Sequence, residues 1–261
     1  MIEITKITEH IFRFNVPYKD IFVGIFVIKA PGGAVLFDAA ATDADIDDYI
    51  VPALKELGVE DLKYVFISHK HLDHAGGLAR LRQVYPEVCI VSRSEALQKE
   101  YDGTPFQFPE DGDTVNEVFR AVTIPGHTLD AMALLDTRTN TMITGDCLQL
   151  FGIYGSGQWG AAIRHVRLHI ESIAKLREMD IDAMHTAHDY HPCGTTHVGK
   201  EAVAACLDAS VDALKRISAT IWEYPTLDDE TIAEKLNDGT LPTVGPHIVT
   251  AVRKGMAEGA V

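Results

Sequence analysis

The 261-residue chain lacks any apolar run of about 18 residues, so no membrane-spanning helix is predicted. Its first segment, MIEITKITEHIFRF, lacks the basic start, apolar centre and small-residue cleavage site of a signal peptide. A cytoplasmic location is therefore expected. The four cysteines are far apart and form no CxxC pair, which argues against a disulfide framework and suits reduced thiols in that compartment.

The sequence also has few basic residues. Lysine and arginine number 23 against 38 acidic residues, which gives a formal net charge of −15, and no basic cluster stands out. A protein that binds nucleic acid normally needs a basic face that replaces the counterions of the phosphates. The expected partner is therefore a small-molecule substrate, without nucleic acid or membrane. A homodimer is an open alternative.

Internal repeats and low-complexity segments are absent as well, and the chain contains alternating strand and helix patterns. Two blocks that combine apolar strands with amphipathic helices follow each other, at roughly residues 1–100 and 105–190. This pattern predicts the α/β (α+β) class, as a four-layer αββα sandwich of two mixed β-sheets flanked by helices. From about Thr196 the pattern is mostly helical. We predict an αββα domain over 1–195 and a helical C-terminal extension over 196–261.

Histidine is abundant, and seven of the 12 histidines fall in two clusters, at 69–74 and 185–197. The first cluster, HKHLDH, directly follows the apolar strand YVFIS. His69 and His71 are two residues apart, so in an extended segment their side chains point the same way and could share one ion. Asp73 and His74 come where the chain turns into a helix, so they could hold a second ion. Imidazole and carboxylate ligands suit zinc, iron or manganese.

Six residues cannot complete two coordination shells, and three further candidates each follow a strand-like run. These are His127 in TIPGHT, Asp146 in ITGDC and His188 in HTAHDYH. Strand ends that converge on one sheet edge are a common way to build a site. His185 is the alternative to His188 as the last ligand.

Taken in order, HxHxDH, PGHT, GD and a late histidine resemble the metallo-β-lactamase-fold superfamily of metal-dependent hydrolases. Glyoxalase II-like and lactonase-like members are the most similar. The resemblance implies that His69, His71 and His127 bind one metal and that Asp73, His74 and His188 bind a second, with Asp146 bridging. The segment LFDA also resembles a family segment and implies that Asp38 supports the site from behind a ligand.

The chemistry implied is hydrolysis of an ester, thioester or lactone by a hydroxide that bridges two divalent ions, of which zinc is favoured. Asp73 and Asp146 are the catalytic carboxylates of that site, and His185 could donate to a substrate oxyanion. Alternatives are a mononuclear iron enzyme similar to sulfur dioxygenases, a phosphodiesterase or β-lactam-type hydrolase, and a catalytically silent metal sensor.

A glycine-rich segment with aromatic residues, CLQLFGIYGSGQWGAAIRH (147–165), follows Asp146 and is a candidate pocket wall. A packed connection with core aromatics is the alternative. The candidate substrate contacts, which include one residue from the later histidine cluster, are Phe151, Tyr154, Trp159, His165 and Tyr190. The sequence leaves the natural substrate and the oligomeric state undetermined.

Overall fold

The computed structural model describes residues 2–155 and 158–261, so Ser156 and Gly157 of the aromatic segment lie outside the described residues. The described strands form two mixed sheets, of seven and six strands. The chain divides into two compact units. The first unit comprises Met1–Thr123 and Met132–Arg138, and the second comprises Ile124–Ala131 and Thr139–Val261.

The seven-stranded sheet lies in the first unit and follows chain order from β1 to β7. The first four strands pair antiparallel, and the pairs from β4 to β7 are parallel. The bounds are β1 (Thr5–Lys6), β2 (Ile11–Tyr18), β3 (Ile21–Ile28), β4 (Ala34–Phe37), β5 (Leu62–Phe66), β6 (Cys89–Val91) and β7 (Phe106–Gln107). Parallel strands β4 and β5 end side by side, which brings Asp38 and the His69–His74 segment to the same edge of the sheet.

Aromatic rings fill the core beneath this edge. The rings of Phe37 and Phe66 stack with centroids 5.3 Å apart, and Phe26 meets Phe37 edge-on at 6.0 Å. All three side chains are fully buried. Because they belong to β3, β4 and β5, this packing fixes the ends of the strands that carry the candidate ligands.

The helices of the first unit are short and lie in the connections between strands β4 and β7. They are α1 (Asp43–Asp45), a π-helical turn (Ile46–Ile50), α2 (Val51–Glu56), α3 (Leu72–Ala75), α4 (Leu78–Val84) and α5 (Glu95–Glu100). Thr42 and Asp45 form a capping box that starts α1. The unit also contains three antiparallel strands, β8 (Thr114–Val115), β9 (Phe119–Thr123) and β10 (Met132–Asp136).

The second unit contains the remaining strands, β11 (Thr141–Ile143), β12 (Ala183–Tyr190) and β13 (Gly194–Val198). β11 and β12 are parallel, β12 and β13 are antiparallel, and the β12–β13 register shifts between His185 and Tyr190. The first C-terminal helix begins at Lys200, slightly later than the expected onset near Thr196, because β13 pairs with β12 up to Val198. The domain boundary predicted at residues 195 and 196 falls inside β13, and that division of the chain stays a prediction.

Four helices complete this unit, namely α6 (Val166–Glu178), α7 (Lys200–Glu223), α8 (Asp229–Leu236) and α9 (Pro246–Ala257). A cluster of buried aliphatic side chains joins them, including Val166, Leu214, Ile217, Ile232 and Val249. The amphipathic pattern of AAIRHVRLHIESIAKLREM (161–179) predicts that α6 begins at Ala161. It begins at Val166 instead, because the N–H groups of Arg164 and His165 donate to the carbonyl of Gly126. Over residues 2–155 and 158–261, no helix is both long enough and apolar enough to span a membrane.

Candidate metal centre

The HKHLDH segment follows β5 through a series of bends and then turns into α3. His71 is the residue that precedes α3, with φ −64° and ψ 154°. Nε2 of His69 lies 2.9 Å from Nδ1 of His71, so both rings present a nitrogen to the same point. In tetrahedral zinc sites the Zn–N distance is about 2.0–2.1 Å, which separates two ligand nitrogens by about 3.4 Å. The His69–His71 pair therefore has nearly the spacing of two ligands on one ion.

Asp73 and His74 form the next pair, inside α3. Nε2 of His74 lies 3.5 Å from Oδ2 of Asp73. His74 is fully buried and Asp73 is mostly buried. The rings of His69 and His74 lie close together, with centroids 4.2 Å apart, yet the two pairs belong to different groups of metal-capable side chains among the described residues.

Asp38 holds the rings of two of these histidines, one directly and one through Ser68. Nδ1 of His74 lies 2.7 Å from Asp38 Oδ2, and Ser68 donates to Asp38 through both its backbone N–H and its hydroxyl. Since the Ser68 hydroxyl donates to Asp38, it accepts from Nδ1 of His69, at 3.1 Å. Protons are thereby held on Nδ1 of both His69 and His74, which leaves Nε2 as the nitrogen with the lone pair.

Asp38 itself occupies an unusual position. It is completely buried and has a φ of 64°, in the left-handed region that non-glycine residues rarely adopt. Burial raises the pKa of the Asp38 carboxyl, and its hydrogen bonds with His74 and Ser68 oppose that rise. The predicted supporting role of Asp38 thus has a physical basis, because its carboxylate directly contacts the candidate ligand His74.

Two glycines allow the backbone to approach closely behind the ligands. A Cβ on Gly76 would lie 2.1 Å from the carbonyl oxygen of Ala41, and one on Gly77 would lie 2.4 Å from that of Ala39. The N–H of Gly77 donates to Ala40 O. Because Ala39–Ala41 directly follow Asp38, this close packing fixes the spacing between Asp38 and α3.

The second unit contributes three candidate ligands around one carboxylate. Nε2 of His188 lies 3.1 Å from Asp146 Oδ1, and Nε2 of His127 lies 3.8 Å from Asp146 Oδ2. All three side chains are at least nine-tenths buried. Each carboxylate oxygen therefore faces a different imidazole, which is the arrangement that a bridging aspartate needs.

The ring of His127 is oriented by the main chain. Its Nδ1 lies 2.9 Å from the carbonyl oxygen of Ala162, and since a carbonyl can only accept, Nδ1 carries the proton. Nε2, which faces Asp146, is therefore the nitrogen with the lone pair. Beside it, His169 packs against Gly126 and contacts Ser210 Oγ at 2.9 Å. Burial, followed by the neighbouring His127, lowers the pKa of His169 to about 4.

His185 and His188 differ in their surroundings. His188 faces Asp146, whereas Nδ1 of His185 lies 3.2 Å from the hydroxyl of Thr196 on β13. Both histidines belong to β12 and are buried. Among the described residues, His188 belongs to a group of metal-capable side chains with Asp146, and His185 belongs to none.

The five candidate substrate contacts are placed very differently. Phe151 packs against the helical cluster of the second unit, and Trp159 is half-buried. The ring of Tyr154 stacks on His191, with centroids 3.5 Å apart, and Tyr154 is exposed. Half-buried His165 precedes α6 and lines a cavity of about 220 Å³ with residues of α6 and α9.

Tyr190 is completely buried, so it presents no surface to a substrate. Its hydroxyl instead accepts a hydrogen bond from Gln149. Its ring meets the ring of His188 edge-on, with centroids 5.9 Å apart, and a substrate contact through Tyr190 stays a prediction. Sequence reasoning also missed Gln149 and Ser68, whose polar contacts include residues distant in the chain, such as Ala162 for Gln149 and Asp38 for Ser68.

The donor set fits divalent metal ions. All seven predicted ligands, and no others among the residues that the structure describes, make up its groups of metal-capable side chains. His69, His74 and His127 each have one ring nitrogen held by an oxygen acceptor, a common feature of metal-binding histidines. Imidazole nitrogens with carboxylate oxygens suit zinc, iron or manganese better than calcium or magnesium.

Comparison with known families identifies the class. Residues 20–194 match the metallo-beta-lactamase superfamily, and the chain belongs to it. The superfamily consists mostly of metal-dependent hydrolases. The predicted resemblance is confirmed, and so is the predicted fold class of two mixed sheets flanked by helices, with a helical C-terminal segment.

Individual relatives are distant. The chain is 31% identical to an atrochrysone carboxyl ACP thioesterase from Emericella nidulans, over 54% of this chain and 43% of that protein. It is 29% identical to a hydroxyacylglutathione hydrolase from Francisella tularensis, over 49% of this chain and 50% of that protein. The match thus spans about half the length of each relative. A metallo-beta-lactamase family protein from Thermus thermophilus has a TM-score of 0.70 at 16% identity, over 97% of this chain and 95% of that one.

Proposed function

We propose that this protein is a dinuclear metal-dependent hydrolase that cleaves an ester-like bond, either an ester, a thioester or a lactone, in a small molecule. The observation that carries the proposal is the Asp146 carboxylate, whose two oxygens face two different imidazole nitrogens. The names of two relatives, a thioesterase and a hydroxyacylglutathione hydrolase, describe hydrolysis of acyl compounds and support the reaction class.

The ligand assignment follows from the pairs of donors. We assign His69, His71 and His127 to one ion, and Asp73, His74 and His188 to the other, with Asp146 shared. The spacing of His69 and His71 supports the first set, and the contact of Asp73 with His74 supports the second. Zinc is the favoured metal, since the set is rich in imidazole. Iron and manganese are the alternatives.

Two such ions, when bound, supply a water nucleophile at neutral pH and polarise the substrate carbonyl. The side chains balance the charge of the ions and orient their ligands. Asp73 and Asp146 provide two of the negative charges that balance the ions, and Asp38 and the Ala162 carbonyl keep protons on the ring nitrogens that do not bind metal. We further propose that His185, oriented by Thr196, donates to the oxyanion of the substrate.

The substrate is proposed to be a small, electron-rich or anionic molecule. Two divalent ions with two carboxylates leave a positive charge in the centre, whereas the chain as a whole has a net charge of −15. Because the metal centre is positive and the rest of the chain is negative, anionic groups are attracted to the centre and not to the surrounding surface. The exposed ring of Tyr154 and the half-buried Trp159 offer apolar contact for the remainder of the substrate.

The proposed location is the cytoplasm. The four cysteines, all within the described residues, form no disulfide. Cys206 is buried close to His197, and Cys193 is half-buried. Free thiols suit a reducing compartment. A homodimer is proposed as the assembly to test by light scattering, and no nucleic acid or membrane partner is proposed.

One experiment tests the function. Protein is stripped with a chelator, reloaded with zinc, manganese or iron, and assayed on a panel of an ester, a thioester, a lactone, a phosphodiester and a β-lactam. Metal content is measured in parallel. The expected result is two ions per chain and metal-dependent turnover of at least one of the first three substrates.

Other outcomes reject the proposal. Full turnover in stripped protein excludes metal-dependent hydrolysis. One tightly bound iron with oxygen uptake indicates a dioxygenase, and turnover confined to the phosphodiester or the β-lactam indicates a different hydrolase. Metal binding without turnover of any substrate indicates a sensor.

A further inference from the structure

Gln149 lies three residues after Asp146 and has no place in the ligand set. Its side chain is buried, with a relative exposure of 4% for the residue. Its backbone has a φ of 58°, in the left-handed region that costs free energy for any residue other than glycine. A buried polar side chain on a strained backbone needs compensating contacts.

The amide of Gln149 makes such contacts on both sides. Its nitrogen donates to the carbonyl oxygen of Asp146 at 2.8 Å and to the hydroxyl of Tyr190 at 3.3 Å. Its oxygen accepts the N–H of Ala162 at 2.8 Å. The two amide hydrogens and the amide oxygen are thus all used, which also fixes the orientation of the amide.

Ala162 connects this amide to His127. The N–H of Ala162 donates to Gln149, and the carbonyl of the same residue accepts from Nδ1 of His127. Gln149 therefore bonds directly to the main chain of Asp146. It also bonds to Ala162, whose carbonyl orients the ring of His127. The two candidate ligands are 19 residues apart in the chain, and Gln149 links the segments that carry them.

We propose that Gln149 is a positioning residue that holds the Asp146 carboxylate and the His127 ring in register for metal binding. The proposal rests on the proposed function, since it requires Asp146 and His127 to be ligands. Loss of the amide would let Asp146 and His127 move independently, and each would then bind the ion with poorer geometry. Supporting hydrogen bonds of this kind typically change metal affinity by about 10–100-fold.

A merely structural amide would behave differently. It would hold the 146–162 segment in the fold, so its loss would lower the thermal midpoint without a specific loss of metal affinity. The two roles are therefore separated by measuring affinity against stability, rather than by measuring activity.

The principal variant is Gln149→Met, which keeps the length of the side chain and removes all three hydrogen bonds. Gln149→Glu is the second variant, since it keeps an acceptor for Ala162 and loses both donations. Gln98→Met is the exposed control, and Ile217→Val, in the core around α7, is the control for lost stability alone. Zinc affinity is measured by chelator competition, the cobalt-substituted protein gives a visible spectrum, and thermal melts of the stripped proteins give stability.

We expect Gln149→Met to weaken zinc binding by about 10–100-fold and to alter the cobalt spectrum, with a smaller loss in Gln149→Glu and no loss in either control. Zinc affinity within about twofold of wild type in both Gln149 variants overturns the proposal, whatever their thermal midpoints. If Gln149→Met does not fold, Gln149→Glu decides by the same criterion. Wild-type protein that binds zinc but hydrolyses nothing overturns the proposed function and leaves this test intact.

Discussion

Asp38 and His74 form a fully buried pair in which the histidine Nδ1 lies 2.7 Å from a carboxylate oxygen. The carboxylate holds a proton on Nδ1 and so leaves Nε2 available as a ligand nitrogen. Asp38 also accepts from the backbone N–H and the hydroxyl of Ser68, which orients the ring of His69. One buried carboxylate therefore sets the tautomers of two candidate ligands.

Asp38→Asn tests this relationship. The amide oxygen is needed to accept from the Ser68 N–H, so the amide NH₂ group then faces Nδ1 of His74 and favours the tautomer with its proton on Nε2. We expect zinc affinity to fall by about 10–100-fold. Asp47→Asn, on the surface, is the matched control. Zinc affinity equal to wild type, measured by chelator competition, would show that Asp38 does not set the tautomer.

Gly76→Ala tests the close packing behind α3. Gly76 has an ordinary helical φ of −65°, where alanine normally stabilises a chain by about 0.4–1 kcal/mol. Here the added Cβ would lie 2.1 Å from the Ala41 carbonyl oxygen. We therefore expect destabilisation by about 1–3 kcal/mol, measured by urea unfolding. A gain in the free energy of unfolding for Gly76→Ala would contradict the predicted clash with the Ala41 carbonyl.

The site shows what sequence spacing can and cannot predict. The four ligands of HKHLDH are close in the chain, so the end of a strand and the start of a helix suffice to separate them into two pairs. Asp146, His127 and His188 are predicted as ligands because each follows a strand-like run. The contacts of Gln149 with Ala162 and Tyr190 join residues 13 and 41 apart, and no local pattern marks such a network.

Two errors in the predicted elements have the same origin. The α6 helix starts five residues later than its periodicity indicates, because a distant carbonyl, that of Gly126, takes the N–H groups of Arg164 and His165. The helical pattern is predicted from about Thr196, whereas β13 pairs with β12 up to Val198 and α7 begins only at Lys200. In both cases a non-local hydrogen bond decides the structure.

Trp159→Ala tests the aromatic segment as a pocket wall. Trp159 is half-buried and its carbonyl accepts from Ile153. Removal of the indole should raise the KM by about 10-fold or more, since burial of an aromatic ring against a substrate is worth at least about 1.5 kcal/mol. Metal content should stay constant. Trp222→Ala is a matched control, because Trp222 is 73% exposed on α7. An unchanged KM in Trp159→Ala would remove this segment from the substrate site.

His169 should make the protein sensitive to mild acid. Its pKa is lowered from 6.5 to about 4 by burial and by His127, so the unfolded chain binds the proton more tightly than the folded one. A lowered histidine pKa means that stability is lost as the pH falls below 6.5, until both states are protonated below about 4. Between about pH 7 and pH 5 this single group should cost about 2 kcal/mol.

His169→Gln removes the titrating ring and keeps a polar partner for Ser210. The free energy of unfolding is measured in urea at about pH 7, 6 and 5, for stripped wild-type and stripped variant protein. Between about pH 7 and pH 5 the variant should lose about 2 kcal/mol less of this free energy than wild type does. His247→Gln, at an exposed position on α9, is the control for loss of an imidazole. Equal pH dependence in wild type and His169→Gln would mean that His169 is charged in the folded protein. The ring would then need a negative partner in place of the Ser210 hydroxyl.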